Sequence, residues 1–150
     1  MTKNQLFLCL AMIAAVPVAG LASTPDTIKG RQANFKKMGA ATKAIVDEIR
    51  KSDPSVAVIR ASAASLNAAG TAALKAFPRG SGAAAGIKTD ALPTIWQKPK
   101  EFAAARQKFL AASRAFSREA AGGDVVKIRT AFGALGATCK GCHDQFRAED

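Results

Sequence analysis

Between Val125 and Phe146 the apolar residues fall at Val125, Ile128, Phe132, Leu135, Cys139, Cys142 and Phe146, with steps that alternate between three and four. A strand would repeat every second residue. This spacing instead buries one side of an α-helix over about six turns. A seam that long and narrow belongs to a helix packed lengthwise on other helices, so the pattern predicts an all-α bundle. The same seam carries the chemistry. Cys139 and Cys142 share the core-facing side, and His143, four residues after Cys139, is their neighbour one turn on.

Cys139-Lys140-Gly141-Cys142-His143 reads C-x-x-C-H, the attachment signature of a c-type haem. Each thiol can add across a haem vinyl group to form a thioether. The imidazole of His143 then stands ready for the iron as a metal ligand. Gly141, a poor helix former, leaves room for a flat macrocycle. The rival readings are weaker. A structural zinc site takes about four N or S ligands, and this chain has one His and three Cys, of which Cys9 lies in a segment expected to be removed. A thioredoxin-type dithiol opens a helix after a strand, whereas this motif comes late in a helix. A plain disulfide gives no reason for the His.

The N-terminus reads as a secretory signal over residues 1–22. Lys3 precedes an apolar run, Leu6 to Val16, that is too short to span a bilayer. Small residues at Gly20-Leu21-Ala22 place the cleavage just before Ser23. Cys9 follows Leu8, so no lipid anchor is expected, and no later stretch reads as a membrane helix. Export from a Gram-negative cell would deliver the protein to the periplasm, where c-type haem is attached. Residues 23–150, about 128 in number, suffice for one domain with one core. Lys3 is the leader's one charged residue, so the mature balance is one unit below the +11 of the whole chain. Such a surface favours acidic redox partners. Export and the scatter of the basic residues argue against nucleic acid.

Three further helices are predicted, giving an antiparallel four-helix bundle with the haem near the C-terminus of the fourth. The first runs from about Thr27 to Lys51, capped by Asp26 or Thr27, with a stripe of Ile28, Phe35, Met38, Thr42, Ile45 and Ile49. The second spans about Pro54 to Ala76 with Asp53 as its N-cap, and buries Val56, Ile59, Ala63, Leu66, Gly70, Ala73 and Phe77. Phe77 to Trp96 is a long connection rich in Gly and Pro, as a crossover wrapping the cofactor end would be. The third helix runs from near Pro99 to Gly122-Gly123, with Phe102, Phe109, Leu110 and Phe116 on its apolar side. Asp124 caps the fourth.

What lies opposite His143 decides the function. The chain has no second His and no Tyr, and Met38 is the only Met after the leader. The choice is His143 with Met38, His143 with a lysine, or His143 alone. Met38 on iron would give a low-spin electron carrier. A Met in this position is also a common gap-filler in a core.

The chain resembles cytochrome c′, the four-helix class of c-type cytochromes. The resemblance rests on Arg31-Gln32 with Phe35 three residues on, on Pro93-Thr94-Ile95-Trp96, and on the run from Gly123-Asp124 through Ala131-Phe132-Gly133 to Cys139–His143, Asp144, Phe146 and Arg147. It implies a five-coordinate iron with His143 as the proximal ligand. It also implies Phe35 over the distal face, Arg31 and Gln32 near the propionates, and Arg147 close to the proximal His. Phe146 stands where a Tyr is common. The family also implies a homodimer packed through the first two helices. Trp96 is read as packing under the loop. The expected function is binding of nitric oxide and carbon monoxide at a crowded pocket, or electron transfer. The alternative is a His143/Met38 electron carrier. No distal acid or base is recognisable, so no enzyme activity is expected.

Overall fold

The computed structural model describes residues 24–83 and 86–149. The predicted signal segment, residues 1–22 with Cys9, lies outside the described residues. Five helices follow in order: α1 Thr24–Ile49, α2 Val56–Lys75, α3 Thr94–Gln97, α4 Pro99–Gly122 and α5 Val125–Phe146. Four of them are long and form the expected bundle. The fifth, α3, is a single turn within the predicted connection. Among the described residues no helix is long and apolar enough to cross a membrane.

Local chemistry sets the ends. The first helix already includes Thr24, where the described residues begin, ahead of the expected start near Thr27, and Pro25 and Asp26 are compatible with an early helical turn. The cap of α2 also differs from expectation: Ser55, not Asp53, is the N-cap, its Oγ accepting from the Val58 N–H at 3.4 Å. Glu48 fixes that choice by accepting the Ser55 N–H at 2.9 Å and pairing with Lys51 at 2.6 Å. Those two contacts, Lys51 first, hold its carboxyl below the usual range. Asp124 caps α5 as predicted, accepting from Val126 and Lys127. Gly123 closes α4 at φ +83°, a left-handed cap that glycine adopts without penalty.

The core comprises Ile45, Ile59, Ala63, Leu66, Phe109, Phe116, Ile128 and Leu135 with their neighbours. α1 packs on α2, α2 on α4, and α4 on α5, while α1 and α5 approach each other less closely along their backbones. At one end of the bundle Arg129 of α5 ties to α1, donating to the carbonyls of Ile49 and Lys51. At the other end α1 and α5 stay apart. The predicted α1 stripe changes for that reason. Ile28 and Ile45 are buried as expected and Met38, Thr42 and Ile49 partly so, but Phe35 remains 36% exposed. Its place in the buried face is taken by Arg31 and Ala41.

Of the described glycines Gly70 is the most closely packed: a Cβ there would lie 2.6 Å from the Phe109 ring and 3.4 Å from the Met38 methyl. Replacing Gly70 by Ala adds about 1 kcal/mol of helix propensity, against an overpacking cost of about 1–3 kcal/mol. A ring wedged between helices has little room to yield, so the cost wins. Gly70→Ala is expected to lower stability by up to about 2 kcal/mol in denaturant titration; a raised midpoint would contradict this packing.

Candidate functional site

The gap between α1 and α5 is a cavity of about 690 Å³ at the bundle's open end. That is within the range of small-molecule and cofactor pockets, about 300–1,000 Å³. All seven residues singled out from the sequence border it: Arg31, Gln32 and Phe35 from α1, Cys139, Cys142 and His143 from α5, and Arg147 just beyond. Leu74, Phe77, Phe102 and Phe109 supply much of the remaining wall.

The α5 wall carries the reactive groups because the seam turns them to that side. Cys139 and Cys142 are free thiols, each partly buried. Burial pushes both thiols up, opposed at Cys139 by a hydrogen bond with Thr138 and reinforced at Cys142 by its neighbour Cys139. They are therefore protonated at neutral pH, with sulfurs beside an apolar space. Burial also lowers the His143 imidazole, as does the nearby charge of Arg147, with Asp144 opposing. His143 is thus neutral near pH 7 and keeps a lone pair for a metal. Among the described residues no three His, Cys, Asp or Glu gather as a metal cluster. Two sulfurs and one imidazole fit attachment of a haem better than a bare zinc ion, which would want a fourth ligand. Gly141, expected to make room for the macrocycle, is exposed on the outer side of α5 and does not border the cavity, since two residues after Cys139 the helix has turned away.

The opposite, α1 wall is mixed, with Phe35 and Met38 beside Arg31, Gln32 and Lys36. Phe35 meets Phe77 edge-on at 6.3 Å between ring centres. Met38 borders the cavity, but its methyl rests toward Gly70 and the side chain packs on the main core. From Phe77 a row of rings runs round the cavity through Phe102 of α4 to Phe146 of α5, at centre distances of 5.1 and 5.2 Å.

Arg31 is 2% exposed. It donates to the Ala76 carbonyl, Ser81 Oγ, Ser81 carbonyl and Thr89 Oγ1 at 2.9–3.1 Å, and lies 4.2 Å over the Phe77 ring. Gln32 donates to the Lys88 carbonyl at 2.8 Å. The pair therefore ties down the crossover, and burial lowers the guanidinium's pKa. The crossover in turn clasps the end of α5. Leu92 N–H donates to the Phe146 carbonyl, Ala148 N–H to the Asp90 carbonyl, and Thr94 Oγ1 to the Gln145 carbonyl. Arg147 Nε lies 3.8 Å from Asp90. Trp96 packs under the loop, donating to the carbonyls of Pro78 and Phe77, with Gly82 against its ring. Sequence reading missed Arg106, which borders the cavity from α4. Its signal was a charge four residues after Phe102 and three before Phe109, inside an apolar stripe.

The profile of the family described as Cytochrome C' matches residues 26–147. The cytochrome c′ of Pararhodospirillum photometricum is 45% identical over 73 residues, 48% of this chain and 56% of that protein. The aligned part therefore spans little more than half of that relative's length. The cytochrome c′ of Rhodopseudomonas palustris is 32% identical over 144 residues, covering 93% of this chain and 96% of that protein. A nitric oxide complex of a mutant cytochrome c prime from Alcaligenes xylosoxidans superposes with a TM-score of 0.77 at 30% identity, over 87% of this chain and 100% of that one.

Arg31→Lys keeps the charge but loses the fork that reaches four acceptors. With charge-assisted bonds worth about 1.5–3 kcal/mol each, the variant is expected to lose about 2–4 kcal/mol and to expose the crossover to limited proteolysis between residues 78 and 92. A crossover as resistant as in the unmodified protein would show that Arg31 does not hold it.

Proposed function

The chain belongs to the cytochrome c′ family of c-type haem proteins, and from that premise we propose an exported, periplasmic protein that binds small neutral gases, nitric oxide and carbon monoxide, at a five-coordinate haem iron. The observation that carries this reading is the asymmetry of the cavity: two thiols and one imidazole on the α5 wall lie across the cavity from Phe35, whose ring meets Phe77. Cys139 and Cys142 would hold the haem through two thioethers, each S–H adding across a vinyl C=C so that sulfur bonds one carbon and the proton goes to the other. His143 would ligate the iron through its imidazole. A haem bound here supplies an iron with an exchangeable sixth position.

The remaining chemistry belongs to the chain. Phe35 narrows the approach on the α1 side and offers no hydrogen-bond donor, which disfavours ligands that need a polar partner when bound. Arg147 places a positive charge beside His143 on the other side. The clasp of the crossover on Gln145, Phe146 and Ala148 holds the end of α5 and so the backbone from which the imidazole projects. Arg31 and Gln32 secure the crossover at the cavity edge, where propionates would emerge. The packing of Met38 toward Gly70 supports an iron without a thioether ligand. The domain proposed for this role is residues 23–150, freed of a signal segment at 1–22. A second copy docking through α1 and α2 would form a homodimer, with Val58 of α2, 41% exposed, as apolar surface available to it. An acidic redox partner would be drawn by the basic surface.

Changing Cys139 and Cys142 together to Ala is expected to abolish covalent haem. Haem still resisting acid–acetone extraction from the double variant would end the attachment reading. Optical spectra of the ferric and ferrous holoprotein are expected to be high-spin and to change on addition of carbon monoxide, and Met38→Ala should leave them as they are. A low-spin spectrum with a thioether-to-iron band, lost in Met38→Ala, would instead make this a His143/Met38 electron carrier. Phe35→Ala is expected to raise carbon monoxide affinity about tenfold, equivalent to about 1.4 kcal/mol. An unchanged affinity would show that Phe35 does not restrict the sixth position.

A further inference from the structure

A second, smaller cavity of about 240 Å³ adjoins the first, and Phe77, Ile95, Phe102 and Arg106 border both. Arg106 therefore stands in the partition. The smaller cavity also has Lys75 and Arg79 on its walls and no acidic residue. The guanidinium of Arg106 lies 5.8 Å over the Phe102 ring. Its Nε is buried, and among the described residues it meets no hydrogen-bond partner. A buried donor without an acceptor costs about 1–3 kcal/mol, and more when the group is charged. Such groups nearly always have a partner in a working protein.

The chemistry of that partner follows from the surroundings. Arg31, Lys36, Arg106 and Arg147 border the larger cavity against one acid, Asp90, so the acceptor is anionic. A guanidinium matches a carboxylate in a planar, two-pronged way. Arg31, the residue that the family likeness puts beside the haem carboxylates, has its guanidinium committed to four neutral oxygens of the crossover and its flanks. Arg106 is differently placed: it borders the cofactor cavity from α4, and among the described residues its buried Nε has no acceptor.

We propose that Arg106 is a carboxylate-binding residue, and that the carboxylate it takes is a propionate of the haem held in the larger cavity. The assignment rests on the haem reading above. A cation on a propionate stabilises the added electron of the reduced haem, so Arg106 raises the reduction potential.

The test uses the covalently loaded holoprotein. Pyridine haemochrome spectra first establish two thioethers; their absence would overturn the haem reading itself and is distinguishable from failure of the Arg106 assignment. In a crystal structure of the ferric holoprotein, a propionate oxygen is expected within hydrogen-bonding distance of the Arg106 guanidinium. Arg106→Gln is expected to shift the reduction potential to more negative values, and Arg106→Lys to restore most of the shift. Both propionates placed away from Arg106, or a potential unmoved in Arg106→Gln, would overturn the proposal. Benzoate serves as the probe for a free carboxylate. A potential that responds to benzoate in the unmodified protein and not in Arg106→Gln would mean that the site serves a separate small anion, which also overturns it. The crystal structure decides the matter even if Arg106→Gln does not fold.

Discussion

A buried guanidinium organises the open end of this bundle. Arg31 comes from the first helix, yet its acceptors lie at the end of α2 and in the crossover, 45 to 58 residues away in sequence. Removing such a charge from water costs several kcal/mol even after relaxation. Four charge-assisted bonds, at about 1.5–3 kcal/mol each, outweigh that cost, and the Phe77 ring beneath adds a cation–π contact. The crossover so held then closes on the last residues of α5 through backbone bonds. The placement of His143 thus traces back to one side chain on the opposite wall.

The bundle's two ends show opposite solutions to one problem. Helix ends leave carbonyls without partners. At the closed end, Arg129 covers those of Ile49 and Lys51, and Arg60 covers that of Ala121. These bonds draw α1 to α5 and α2 to α4. At the open end the side chains that could have closed the gap are aromatic and stacked along its wall, and the polar ones bond to the crossover instead of across the gap. A space of cofactor size is therefore held between α1 and α5 at one end only.

The residues that carry chemistry were legible in the sequence because C-x-x-C-H lies on a seam whose period could be counted. Cys139, Cys142 and His143 were assigned to one side of one helix, and they border one cavity. The Asp124 cap and the Gly123 stop were likewise local signals. What escaped was tertiary. Spacing alone put Phe35 in the buried stripe; the resemblance turned it to the cofactor, and its ring stands on the cavity wall because the helix across from it stands off. Ser55 replaces Asp53 as the cap of α2 because Glu48, seven residues earlier, claims its N–H. Arg31 read as a residue for a cofactor's acids, and its bonds to Ser81 and Thr89 could not be inferred before the crossover's path was known. Arg106 was visible as a charge in an apolar stripe, a conflict between pattern and residue type of the sort that marks functional positions.

The two sides of His143's cavity differ in how firmly they are held, and this bears on how a ligand could enter. On the α5 side, three hydrogen bonds from the crossover hold Gln145, Phe146 and Ala148, and Phe146 is packed edge-on against Phe102. Any molecule entering there must fit beside Arg147 without moving the helix end. On the α1 side, Phe35 is more than a third exposed, and among the described residues its ring partner is Phe77, 6.3 Å away. A ring this exposed can change rotamer at a cost of about 1 kcal/mol, whereas breaking the clasp would forfeit several hydrogen bonds at once. The yielding surface is therefore Phe35, and the rigid one is the wall that bears the thiols and the imidazole. Substitution at position 35 thus alters the α1 side of the cavity without disturbing the thiols and the imidazole on α5.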